Sequence, residues 1–78
     1  MANQDDLKIW VWTALKELGG EGEVVEIAKI IWRDHEADLR ASGDLFYRWQ
    51  YAMRWAGQSL QLEGKLIKMK SPRKWRLT

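Results

Sequence analysis

The last fifteen residues constrain the fold more than any other stretch. Gly64–Thr78 reads GKLIKMKSPRKWRLT and carries six basic side chains and no acid. Leu66, Ile67, Met69, Trp75 and Leu77 are spaced among the charges, and Ser71-Pro72 marks a turn. The segment predicts two short strands, Lys65 to Met69 and Lys74 to Thr78, paired as a basic hairpin. The preceding sixty-three residues hold seven basic and eleven acidic side chains. Charge is therefore −4 before the hairpin and +6 within it, which together give the formal +2. That asymmetry carries more information than the net value.

The core must come from the rest of the chain, and 78 residues make one domain, 1–78, near the lower size for unaided folding. There is no cysteine. Disulfide staples and thiolate metal sites are excluded, and the composition suits a cytoplasmic protein. Large rings have to supply the buried area instead. Six Trp, two Tyr and one Phe are many for this length. Residues 1–18 hold no long uncharged apolar run, so neither a membrane span nor a signal peptide is expected.

Three helices precede the hairpin. In residues 5–18, Leu7, Trp10, Val11, Ala14 and Leu18 recur at three- and four-residue spacing. Asn3 or Asp5 can cap the start, and Gly19-Gly20 ends the helix. Ile9 and Trp12 fall off this stripe. A stub of strand fits residues 21–24. The second helix is expected from Val24 to about His35, with Val24, Ile27, Ile30 and Ile31 inward. Residues 33–44, RDHEADLRASGD, are polar and read as helix end and loop. The third helix runs from Asp44, capped by Ser42 or Asp44, to about Leu62. Leu45, Phe46, Trp49, Ala52, Met53, Ala56 and Leu60 share one sector. Gly64 stops it.

The opposite sector of the third helix carries the chemistry. It holds Gln50, Tyr51, Arg54, Gln58 and Gln61, with Arg48 and Trp55 on its shoulder. No acid occurs from Leu45 to Leu62. Arg, Gln and Tyr are the side-chain types that hydrogen-bond base edges and phosphates. The order helix, helix, helix, hairpin predicts an α+β winged helix-turn-helix. Its third helix enters the major groove of double-stranded DNA and its wing lies on the phosphates. The candidate contacts are Arg48, Gln50, Tyr51, Arg54, Trp55 and Gln58, with Lys65, Lys68, Lys70, Arg73, Lys74 and Arg76. Arg54 is the candidate base reader, because its fork can hold guanine O6 and N7.

The residues also resemble a known family. Leu15-Lys16-Glu17-Leu18-Gly19-Gly20 followed by Glu26-Ile27 is similar to the opening of the N-terminal winged-helix domain of Mrr-type restriction endonucleases. So is the second half: Ser42-Gly43, Trp49, Met53-Arg54-Trp55-Ala56, Leu60, Gly64-Lys65-Leu66-Ile67 and Ser71 to Thr78. The resemblance implies a DNA-binding module, the target- or modification-reading part of a restriction or defence system, working with a nuclease domain or subunit. No nuclease domain is expected within these 78 residues, so cleavage is not expected of them.

Blander readings compete. Basic residues on an edge hairpin also discourage aggregation. Trp10, Trp49 and Trp75 fit core positions, whereas Trp12, Trp32 and Trp55 could be exposed. Ile9, Trp12 and Trp32 define the alternative function, an apolar contact in a protein-interaction adaptor. An exposed ring could also stack on a base. His35 stands alone among Asp34, Glu36 and Asp38, the pattern of a helix end more than a metal site. Glu63-Gly64-Lys65 matches half of a nuclease metal motif but straddles a helix end and a turn. No Ser-His-Asp arrangement or phosphate-cradling glycine loop appears. The expectation is a binding module with no catalytic residues, metal or cofactor.

Overall fold

A computed structural model of the chain describes residues 3–70 and 73–78, without the side chains of Lys70 and Arg73. The elements are α1 (Gln4–Glu17), β1 (Glu21–Glu23), α2 (Val24–Arg40), α3 (Leu45–Leu62), β2 (Leu66–Lys70) and β3 (Arg73–Leu77). The fold is α+β: three helices and a three-stranded antiparallel sheet in the order β1-β3-β2. The Ser71-Pro72 turn expected from the sequence lies outside the described residues.

Asn3 caps α1 by a reciprocal pair of bonds. Asp6 N donates to Asn3 Oδ1 and Asn3 N donates to Asp6 Oδ2, both at 3.1 Å. Such a capping box satisfies two donors that would otherwise be orphaned. Leu7, Val11, Ala14 and Leu15 are buried along α1, while Trp10 and Leu18 are only half-buried. Beyond the helix, Gly20 N bonds the Leu15 carbonyl and the Gly20 carbonyl accepts from Leu77 N, each at 2.8 Å. The end of α1 is thereby tied to the sheet.

The helical dihedrals of α2 break at His35 (φ −129°, ψ 18°), where the sequence reading ended the second helix. What the reading took as helix end and loop is a further helical stretch that continues to Arg40. Three contacts hold the polar half in place. The His35 ring stacks on Trp10, centroids 3.8 Å apart. Arg33 ties α2 to Glu17 of α1 at 2.8 Å. Leu39 is fully buried in the core. None of these is visible in the local pattern of RDHEADLR. Asp44 starts α3 without a side-chain cap bond. The Ser42 hydroxyl instead donates to the Asp38 carbonyl.

The core of α3 follows its predicted stripe: Leu45, Trp49, Ala52, Met53, Ala56 and Leu60 are buried. Gly57 joins them for a different reason. A Cβ there would meet the Trp75 ring at 2.5–3.0 Å. The absence of a side chain lets the β3 tryptophan lie against the α3 backbone. Replacing an exposed helical glycine by alanine ordinarily stabilises by about 1 kcal/mol. Gly57→Ala should do the reverse and cost about 1–3 kcal/mol, because the buried ring must shift. A denaturant titration showing Gly57→Ala as stable as the parent would mean that Trp75 can repack freely.

Candidate nucleic-acid interface

The helix face nominated from sequence is continuous and open. Arg48, Gln50, Tyr51, Arg54, Trp55, Gln58 and Gln61 are all exposed. Tyr51 is 75 % exposed and Trp55 44 %. Among the described residues, neither Arg48 nor Arg54 pairs with a carboxylate. The sequence reading missed Tyr47, which is 83 % exposed. Its signal was present: at 100° per residue it falls between Arg54 and Gln58, in the middle of the polar sector.

The hairpin is less uniform than its composition implied. Lys68 sits on the strand face that packs under α3. Its ammonium lies 3.5 Å from both the Arg54 carbonyl and Gln58 Oε1. It also stands 5.0 Å from the centroid of the Trp75 ring. Burial, followed by the repulsion of Arg54, lowers the Lys68 pKa below the usual lysine value. Lys68 and Arg54 thus form a cationic pair at the joint between helix and hairpin.

Lys74 and Arg76 lie on the other face, where the register sets acids opposite them, although none of the described ion pairs joins them. β1 pairs with β3 in the register Glu21↔Arg76, Gly22↔Trp75 and Glu23↔Lys74. Directly opposite residues in an antiparallel pair have Cβ atoms about 4.5–5.5 Å apart, so opposite charges there lie within attractive range. Among the described hairpin cations, Lys74 and Arg76 therefore stand across the sheet from Glu23 and Glu21. Lys65 is also partly answered, 3.5 Å from Glu63. Glu63 bonds Lys8 of α1 as well, and that bond holds its carboxyl below the usual carboxylate range. Lys70 and Arg73, the remaining two nominated residues, have side chains outside the described residues.

Acid and base are segregated across the molecule. Glu17, Asp34 and Glu36 are engaged by Arg33 and Arg40 on α1 and α2, while α3 contributes no acid. Two concavities flank α3. An open groove of about 1370 Å³ runs between α2, α3 and the hairpin, with Trp32, Trp49, Met53 and Trp75 in its lining. A hollow of about 630 Å³ lies between Ile9 and Trp12 of α1, Leu60 and Lys65.

The apolar trio Ile9, Trp12 and Trp32 is not one patch. Ile9 and Trp12 are exposed together. Trp32 is half-buried elsewhere, stacked on Trp49 with centroids 5.9 Å apart and covered by Arg40 at 5.2 Å. His35 is engaged in packing, and no cluster of three or more His, Asp or Glu suited to a metal occurs among the described residues. No described helix is long and apolar enough to cross a membrane.

Compared with known proteins, the chain matches no family model, no curated protein and no solved structure.

Proposed function

We propose that this chain is a winged helix-turn-helix module that binds double-stranded DNA. In this reading α2 and α3 form the helix-turn-helix, α3 enters the major groove, and β2–β3 is the wing. The α1-β1-α2-α3-β2-β3 order, with β1 paired to β3, supports the arrangement. The observation that carries the function is the exposed, acid-free face of α3 with two arginines that pair with no carboxylate among the described residues. The Lys68–Arg54 joint extends that charge onto the hairpin. The restriction-system role, reading a target or modified site for a nuclease, belongs to the same proposal and rests on the sequence resemblance alone.

NMR shift mapping with a short duplex tests the face. Shifts should cover α3 and the hairpin; shifts confined to α1 would overturn the reading. Lys70→Ala should weaken all sequences alike and lower the salt slope by about one unit. Arg54→Ala should cost about 1–3 kcal/mol and flatten any preference among sequences. Equal weakening of every sequence by Arg54→Ala would remove its base-reading role.

The hollow at Ile9 and Trp12 favours a second reading, an adaptor that docks a protein through α1. Salt separates the two. DNA binding weakens steeply as salt rises, and an apolar contact does not.

A further inference from the structure

We propose that the groove between α2, α3 and the hairpin receives one base unstacked from the bound DNA, an inference that rests on the DNA-binding reading above. Three observations converge. The groove is lined by apolar surface of the kind a planar ring prefers: Trp32, Trp49, Met53, Met69 and Trp75. Of the three tryptophans only Trp32 is half-buried rather than buried, so its edge is the accessible aromatic surface. The polar groups in the same lining include Gln50, Gln61, Arg54 and Lys68. Amides can bond a base edge, and the two cations can hold the phosphate attached to it. The lining also takes in Glu23, Lys29 and Arg33, so apolar and polar groups share one concavity, with area to bury a ring and groups to orient it.

The source of the base follows from continuity. Arg54 and Gln50 belong both to the exposed α3 face and to the groove. A strand lying along that face is therefore held at the groove mouth. The groove is open along its length, so a free nucleotide would lack the enclosure that a tethered base does not need. Bases already unpaired are the least costly to move, and they should bind best.

The test compares two duplexes carrying 2-aminopurine, one fully matched and one with the 2-aminopurine bulged. Wild-type protein should bind the bulged duplex about tenfold more tightly. It should also shield the bulged fluorophore from acrylamide quenching. Ala28→Leu places bulk in the groove from a half-buried helical position away from the α3 face. With folding checked by thermal melt, this variant should lose the tenfold preference and keep its affinity for the matched duplex. Equal binding of the two duplexes by wild type, or an unshielded fluorophore, would overturn the groove inference while leaving the DNA reading standing. Failure to bind either duplex would overturn both. Free 2-aminopurine nucleoside monophosphate binding as tightly as the bulged duplex would make this a nucleotide site independent of DNA, against the proposal.

Discussion

A Trp49→Ala protein is expected to be largely unfolded at room temperature. The ring is 8 % exposed and sits at the centre of the α3 stripe. It stacks on Trp32 at an interplanar angle of 14°. Truncating a buried tryptophan costs about 3–5 kcal/mol through lost transfer energy and the cavity left behind. A domain this small has about 5 kcal/mol in total, at the lower end of the usual range. The loss therefore approaches the whole stability. Trp55→Ala is the internal control: its ring stands on the same helix but is 44 % exposed. That variant should melt close to the parent and show its effect in binding. Circular dichroism melts of both decide the matter. A Trp49→Ala protein that melts like the parent would mean that the helix is rotated and the exposed face wrongly assigned.

Leu39→Ala should rank next, at about 2–5 kcal/mol. Leu39 is fully buried, the one buried residue of α2 beyond the His35 kink. The turns around it are otherwise polar and exposed or half-exposed. Removing its side chain leaves the last part of α2 held by polar contacts: the Arg40–Glu36 pair, the Arg40 contacts to Trp32 and Phe46, and the Ser42 hydroxyl on the Asp38 carbonyl. Exposed pairs of that kind are worth a few tenths of a kcal/mol. The melting temperature should fall, and amide exchange of residues 36–40 should accelerate more than that of α1. An unchanged melt would show that the segment contributes nothing to the folded core.

These two residues also mark what could be read from the sequence. Trp49 belongs to an unbroken eighteen-residue pattern bounded by a glycine. Gly64 adopts φ +77°, the left-handed conformation that ends the helix, so the boundary was written locally. The short strand at residues 21–23 and the two hairpin strands were likewise legible from composition and turns. Leu39 lies beyond the break at His35, so the spacing of Ile27 and Ile31 does not carry on to it. Acids and a histidine hid the pattern, and the stabilising contacts come from α1, far along the chain. The surroundings of the hairpin charges could not be read locally either. Glu21 and Glu23 stand more than fifty residues before Arg76 and Lys74, and only the β1–β3 register brings them opposite. Long-range pairing of that kind leaves no mark on local composition. The α3 face needed no such pairing to form, and its nominated residues are all exposed.

The contact of Gly57 with Trp75 has a mechanical consequence. The indole lies on the α3 backbone, and Lys68 stands over the ring while reaching the Arg54 carbonyl. A hinge between helix and hairpin would have to lift that ring out of its seat, so the two elements behave as the fixed jaws of a caliper. Any ligand that touches both must bring the right spacing with it. Discrimination by such a device rests on the dimensions and pliability of the ligand, independently of which groups it presents.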